Sequence, residues 1–231
     1  KTRWLLDAIR ANGTLQRYVP FDVSETMVRR IASELLEEYP ELEVHGIVAD
    51  FAHHLDRLPI RTGQLAAFLG GTIGNFRPAE AARFLRHLAR RLSPGDHFLL
   101  GTDLVKPVAR LEAAYNDARG VTAAFNRNVL NVVNHMTGGN FDPALFEHRA
   151  VYNPETAWIE MWLRSTEHQR VSLPAIDLEF AVEKGEEILT EISAKYDRPR
   201  IERLVSAAGL EMTDFYTDSE NLFALSLSRK L

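Results

Sequence analysis

The stretch Leu65-Ala66-Ala67-Phe68-Leu69 runs directly into Gly70-Gly71-Thr72-Ile73-Gly74-Asn75. Its first five residues are a continuous apolar run, which is typical of a strand buried on both faces of a parallel sheet. The glycines that follow allow the backbone to approach a ligand closely. The stretch therefore predicts a buried strand that ends in a ligand-binding loop.

Helical and extended patterns alternate on both sides of this loop in the first half of the chain. Three further predicted strands each end at an acidic residue, namely Asp22, Asp50 and Asp103. Strands that alternate with helices indicate βαβ units and a mostly parallel sheet, so we predict an α/β fold. Ligands of such sheets bind outside the carboxyl ends of the strands. The three acids and residues 70–75 therefore mark the expected site.

The pattern changes in the middle of the chain. Residues 111–134 are predicted to be helical, with a break at Gly120, and residues 146–152, 158–164 and 169–173 to be antiparallel strands. We interpret residues 106–195 as an inserted α+β substrate-binding domain, which closes over the site as a lid. Residues 1–105 and 196–231 then form the core domain.

The composition excludes several classes of protein. The 231 residues carry a formal net charge of −5, which argues against a nucleic-acid binder. The chain has no cysteine, so it has no disulfide and no thiolate nucleophile. No apolar run is long enough to span a membrane, and the scattered histidines show no metal-binding spacing. We expect a cytoplasmic protein without a metal, and the helical pattern at Lys1 suggests that other residues precede it.

Several polar residues are candidates for binding a nucleoside and an amino acid. Asp22 could accept hydrogen bonds from a ribose, and Asp50 with Phe51 could hold an adenine. Asn75 offers a donor and an acceptor, and could orient an amine and a carboxylate together. Each also has a structural interpretation: an acid that favours a helix dipole, an N-cap followed by a core phenylalanine, and a turn asparagine.

The segment Glu191-Ile192-Ser193-Ala194-Lys195 raises a similar choice. If it is extended, the Glu191 and Ser193 side chains lie on one side of the strand. A carboxylate and a hydroxyl placed in this way could clamp an imidazole. The alternative is a surface stretch that leads into the last helix.

Several motifs together resemble one family, the S-adenosylmethionine-dependent, histidine-specific Nα-methyltransferases that form hercynine in ergothioneine biosynthesis. The most specific motif is Gly120-Val121-Thr122-Ala123-Ala124-Phe125-Asn126-Arg127-Asn128. The other resembling stretches extend over the whole chain: Phe21-Asp22-Val23, Phe68 to Asn75, Leu100 to Lys106 and Glu191 to Lys195.

The resemblance implies a class I, Rossmann-like methyltransferase with S-adenosylmethionine as cofactor. It implies that Asp22 binds the ribose, Asp50 and Phe51 the adenine, and that Lys1 lies near the methionine carboxylate. The family also has a further N-terminal segment, with the Glu-Leu-Gly-Ser-Gly loop of the first strand. This chain begins after that loop, so we expect residues 1–231 alone to bind the cofactor poorly.

On the substrate side, the resemblance implies a site for L-histidine. Gly70 and Asn75 would lie at the reacting amine, and Asn75 and Tyr115 would hold the carboxylate. Phe125 and Met161 would shape the pocket. Glu191 and Ser193 would recognise the imidazole.

The expected reaction is methylation of the α-amino group of histidine, up to trimethylhistidine, by a monomeric enzyme without nucleic-acid or membrane partners. Two alternatives stay open on the sequence. One is a methyltransferase for another small amine or amino acid, and the other is a non-catalytic fragment that lacks the cofactor loop.

Overall fold

The computed structural model describes all residues from Lys1 to Leu231, which form two compact units. The first unit comprises Lys1–Thr62 and His87–Ser93, and the second comprises Gly63–Arg86 and Pro94–Leu231. None of the helices is both long and apolar enough to cross a membrane.

The first unit is built from short parallel strand pairs and two helices. Ser24 starts the second helix, because its side chain accepts a hydrogen bond from the Met27 amide. Leu6 and Leu35 are buried in a small core that Tyr39 and Leu42 complete. The elements in chain order are α1 (Thr2–Ala11), β1 (Arg17–Tyr18), β2 (Phe21–Asp22), α2 (Glu25–Glu38), β3 (Glu43–Val44) and β4 (Ile47–Val48).

The second unit contains the remaining strands and most of the helices, and the end of α3 belongs to the first unit. Its elements are β5 (Leu65–Phe68), α3 (Pro78–Ala89), β6 (His97–Asp103), α4 (Val108–Tyr115), α5 (Val121–Thr137), β7 (Phe146–Asn153), β8 (Trp158–Ser165), β9 (Gln169–Leu173), β10 (Leu178–Val182), β11 (Glu187–Ala194), α6 (Arg198–Ser206), β12 (Leu210–Thr217) and β13 (Phe223–Lys230).

A four-stranded sheet in the order β12-β13-β6-β5 carries the glycine-rich loop at one edge. The expected parallel pairing is present between β5 and β6, and in the first unit between β1 and β3 and between β2 and β4. β13 is antiparallel to both β6 and β12. The short connection between β12 and β13 accounts for the direction of that pair. The fold is therefore mixed α/β, with a sheet less parallel than predicted.

The expectation that residues 65–69 are buried on both faces is wrong. β5 pairs with β6 only, and its residues alternate between exposed and half-buried, with Leu65 exposed. An edge strand pairs with a neighbour on one side only. The apolar run of β5 shows that such a sequence can form an edge strand as well as a central one.

The middle of the chain forms a second, antiparallel sheet in the order β11-β8-β7, and β9 pairs with β10. The predicted strands β7, β8 and β9 are confirmed, as is the break between α4 and α5, where Gly120 has a φ of 69°. β8 supplies buried residues to two apolar clusters: Leu163 to one with Leu130 of α5, and Ile159 to one with Leu111 of α4. The division of the chain at residues 105 and 195 stays a prediction.

The start of α5 gives a stability prediction. Asp117 accepts hydrogen bonds from the Thr122 and Val121 amides, and these bonds lower its pKa from 3.8 to about 2. A lowered folded-state pKa stabilises the protein fully above the unfolded value, and that contribution is lost as the pH falls through the folded value. Asp117→Ala should therefore lower the thermal midpoint at pH 7, and the deficit should shrink between pH 4 and pH 2. Thermal melts across this range would contradict the assignment if the deficit were constant.

Candidate active site

A cavity of about 320 Å³ opens in the second unit, a size typical of small-molecule sites. Four residues that the sequence selected line it together: Gly70, Asn75, Tyr115 and Ser193. They come from the glycine-rich loop, the end of α4 and the end of β11. The remaining lining residues are Gly71, Thr72, Asp103 and Phe223.

The glycine-rich loop is held directly against β11. Gly70 and Gly71 have φ values of 86° and 78°, a left-handed conformation that favours glycine, and the chain then forms a short 3-10 helix over Thr72–Asn75. A Cβ on Gly74 would lie 2.8 Å from the Ala194 carbonyl oxygen, so only glycine fits this approach. This contact places Asn75 and Ser193 on the same cavity.

Lys195 is the most strongly engaged polar side chain of the site, and its side chain is fully buried. Its ammonium pairs with Asp103 Oδ2 at 2.8 Å and donates to Tyr115 Oη and Ser193 Oγ, both also at 2.8 Å. The ammonium also lies 4.7 Å from the centre of the Tyr115 ring. Lys106 pairs with the other oxygen of Asp103 at 2.5 Å. Two cations and one carboxylate thus give this cluster a formal charge of +1, and Asp103 is its member that lines the cavity.

The segment that contains Glu191 and Ser193 is extended in β11, so both side chains share one face. In the pairing register Glu191 is opposite Met161 and Ser193 is opposite Ile159. Met161 is buried in a cluster against which Tyr115 packs, and Tyr115 Oη donates to Ser193 Oγ at 2.9 Å. Burial raises the pKa of Glu191. A carboxyl, a hydroxyl and an apolar surface therefore lie along one strand face.

A polar network behind this face was not found from the sequence. Thr190 donates to Asn126 Oδ1 at 2.5 Å, and the Asn126 amide nitrogen lies 2.9 Å from His148 Nδ1. His148 Nε2 lies 2.8 Å from the Tyr115 carbonyl oxygen. The network ties α5 and β7 to the end of α4, which carries Tyr115.

In the first unit, Asp22 and Asp50 meet at one edge of a strand pair. Asp22 ends β2 and is paired with Val48, two residues before Asp50. Asp22 accepts a hydrogen bond from the Ser24 amide, and Asp50 accepts from the Ala52 amide and contacts His53 at 2.8 Å. The hydrogen bond with His53 lowers the pKa of Asp50, followed in size by the bond from Ala52. Two carboxylates at adjacent strand ends suit the hydroxyls and exocyclic amine of a nucleoside.

Comparison with known proteins decides the family. Residues 1–230 match the family model described as histidine-specific methyltransferase, SAM-dependent. The chain belongs to this family. The mixed α/β fold agrees with a crystal structure of a protein from Pyrococcus horikoshii, with a TM-score of 0.50 at 15% identity over 97% of this chain and 77% of that one.

Two curated relatives are similar along the whole chain of this methyltransferase. A histidine N-alpha-methyltransferase from Mycolicibacterium smegmatis is 47% identical over 99% of this chain and 71% of its own length. A protein of the same name from Mycobacterium tuberculosis is 46% identical over 100% of this chain and 72% of its own length. The resemblance predicted from the sequence motifs is therefore confirmed.

The other predicted site residues of the methyltransferase do not line the cavity. Glu191 and Met161 are not among the cavity-lining residues, and neither is Phe125, which lies on α5 with 65% of its surface exposed. Lys1 precedes α1 in the first unit. The roles of Glu191, Met161, Phe125 and Lys1 stay predictions.

The sequence assigned no role to Asp103, which lines the cavity, or to Lys195, which contacts the lining residues Asp103, Tyr115 and Ser193 from behind. Asp103 had been noted only as an acid at a strand end. The available signal for Lys195 was its place between the apolar residues Ala194 and Tyr196, which are both buried. Lysine is rarely buried unless it is paired, so burial at this position would have predicted an acidic partner.

Proposed function

We propose that this protein transfers methyl groups from S-adenosylmethionine to the α-amino group of L-histidine. The observation that carries the proposal is the shared cavity of Gly70, Asn75, Tyr115 and Ser193 in a member of the histidine-specific methyltransferase family. The curated relatives from the two mycobacteria are named for this activity.

The nucleoside of S-adenosylmethionine fits the acidic edge of the first unit. Asp22 would accept hydrogen bonds from the ribose hydroxyls, and Asp50 would accept from the adenine amine. Phe51 follows Asp50 directly and would supply an apolar surface to the base, while Lys1 would pair with the methionine carboxylate. When bound, the cofactor supplies an electrophilic methyl group on a sulfonium.

The loop and α4 would hold the backbone groups of the amino acid. Asn75 can donate to the substrate carboxylate and accept from its amine, which would direct the nitrogen lone pair outward. The carbonyl of Gly70 would accept a second amine hydrogen, and Tyr115 would line the carboxylate site without donating to it, because its hydroxyl proton is directed to Ser193 Oγ. Lys195 and Lys106 both pair with Asp103, the carboxylate that lines the cavity, and so offset its repulsion of the substrate carboxylate. Holding the amine in a reactive geometry supplies most of the catalysis, since no covalent enzyme intermediate is needed.

In each transfer Asn75 and Gly70 would hold a neutral amine against the methyl group that the bound cofactor supplies, and the electron pair of the broken sulfur–carbon bond would stay with the cofactor. The amine must lose a proton before every transfer. We propose three successive transfers, because a cavity of about 320 Å³ leaves room for the added methyl groups.

The middle of the chain would recognise the side chain of the substrate. We propose residues 106–195 as the inserted substrate-binding domain of a class I methyltransferase core, supported by their separate antiparallel sheet. Glu191 and Ser193 would hold the imidazole against Met161, and Phe125 would complete the pocket on binding.

A blocked substrate tests the proposed acceptor atom. The full-length protein should release S-adenosylhomocysteine with L-histidine and not with Nα-acetylhistidine, whose α-nitrogen is no longer nucleophilic. Equal turnover of the two compounds would contradict the proposal, because it would place the methyl group elsewhere on the molecule.

Asn75 gives a second test. Asn75→Ala should lower kcat/KM for histidine by the equivalent of about 1–3 kcal/mol, the usual cost of leaving buried polar groups unpaired. Thr72→Val is the matched control, because Thr72 lies in the same loop and its hydroxyl donates to the Leu69 carbonyl oxygen at 3.3 Å. Steady-state kinetics should show a much larger loss for Asn75→Ala, and equal losses would remove Asn75 from the site.

A further inference from the structure

The buried ammonium of Lys195 is fully engaged by three oxygen atoms. An ammonium has three hydrogen-bond donors and no acceptor. Asp103 Oδ2, Tyr115 Oη and Ser193 Oγ, each at 2.8 Å, use all three. The side chain is completely buried, so water does not compete for these bonds. Lys195 therefore fixes the hydrogen-bonding direction of the two hydroxyl groups that it touches.

Ser193 is left with one unused hydrogen-bonding function. A hydroxyl has two acceptor lone pairs and one donor. Its oxygen accepts from Lys195 and from Tyr115 Oη, the latter at 2.9 Å, so both lone pairs are occupied. Since Ser193 also lines the cavity, its proton is the group that it can offer to a ligand.

We propose that Lys195 is a positioning residue that makes Ser193 a donor only, so that the site selects a ring with an unprotonated, hydrogen-bond-accepting nitrogen. This inference rests on the proposed function. A neutral imidazole has one such nitrogen and one N–H, whereas an imidazolium or a pyrrole ring offers donors alone. Glu191, on the same strand face, accepts the N–H of the imidazole. Lys195 thus determines specificity through Ser193, without touching the substrate ring.

Removal of Lys195 should relax this selection without leaving Asp103 unpaired, because Lys106 stays at 2.5 Å from that carboxylate. In Lys195→Met, one lone pair of Ser193 becomes free, and the hydroxyl can turn to accept as well as donate. The substrates to compare are histidine and β-(pyrrol-2-yl)alanine, which has the same ring size and only an N–H. Their kcat/KM ratio is independent of how much of each preparation is folded.

The ratio of histidine to pyrrolylalanine should fall about tenfold in Lys195→Met, since a site that hydrogen-bonds its substrate rejects analogues that lack the partner. Lys106→Met is the matched control, because it removes the other cation on Asp103 without a contact to Ser193, and its ratio should equal that of the unchanged protein. In a Ser193→Ala background, adding Lys195→Met should leave the ratio unchanged. An unchanged ratio in Lys195→Met, in an enzyme that methylates histidine, would overturn this inference alone.

A second measurement leaves Lys195 in place. In Glu191→Ala, Ser193 is the polar contact that remains for the ring, so β-(thiazol-4-yl)alanine, with an acceptor nitrogen and no N–H, should be methylated faster than pyrrolylalanine. The opposite preference would overturn the inference. A protein that methylates no histidine at all would overturn both the proposed function and the inference that rests on it.

Discussion

Gly74→Ala is expected to lose about 1–3 kcal/mol of stability and to fall by about a hundredfold or more in kcat/KM. The added Cβ would lie 2.8 Å from the Ala194 carbonyl oxygen and 3.3 Å from the Ala194 nitrogen, so the loop and β11 must move apart. That shift separates Asn75 from Ser193, which are both held at the cavity by this contact. Thermal melts and steady-state kinetics measure the two effects.

Gly46→Ala is the control for the loop prediction. A Cβ there would lie 2.5 Å from Val28 Cγ1, a shorter distance than the 2.8 Å at Gly74. The Val28 side chain can rotate away, however, whereas the Ala194 carbonyl belongs to the backbone. The Gly46 variant should therefore keep more stability and activity than the Gly74 variant. If Gly74→Ala were the milder change, the close packing of the loop on β11 would not position the site.

Glu191→Ala is expected to reduce the preference for histidine over phenylalanine by about a hundredfold, and the preference over tryptophan, whose indole also has an N–H, by less. The carboxyl lies on the strand face that carries Ser193, opposite Met161, and burial raises its pKa. Without it, the imidazole loses the acceptor for its N–H, while the phenyl ring of phenylalanine, which has no donor, loses nothing. The measurement is kcat/KM for the three amino acids with the variant and with the unchanged protein.

Glu187→Ala on the same strand provides the comparison. Glu187 pairs with Arg149 at 3.0 Å and lies at the start of β11, at the other end of the strand from Ser193, so the preference for histidine should stay as it is. Identical relative kcat/KM values in the Glu191 variant and the unchanged protein would show that another group recognises the ring.

Much of the second half could be predicted from local signals. Asn153-Pro154 and the residues near Glu167 are turn sequences at the ends of β7 and β8, and Gly120 marked the break between α4 and α5. These features depend on neighbouring residues in the sequence. β11 was harder, because the register shift between Leu189 and Glu191 interrupts the regular alternation along the strand.

The hydrogen-bonding centre of the site could not be predicted in the same way. Lysine is a surface residue by default, and Lys195 is buried only because Asp103, Tyr115 and Ser193 surround it. These partners come from β6, α4 and β11, which are far apart in the sequence. The position of β5 at a sheet edge likewise depends on which strands pair, and an apolar run does not specify that.

The most direct test of the central claim is the position and number of the methyl groups on the product. The full-length protein, incubated with S-adenosylmethionine and L-histidine, should yield Nα,Nα,Nα-trimethylhistidine with an unmodified imidazole, as read by fragmentation mass spectrometry. Methyl groups on a ring nitrogen, or histidine recovered unchanged while another amino acid is methylated, would contradict this account.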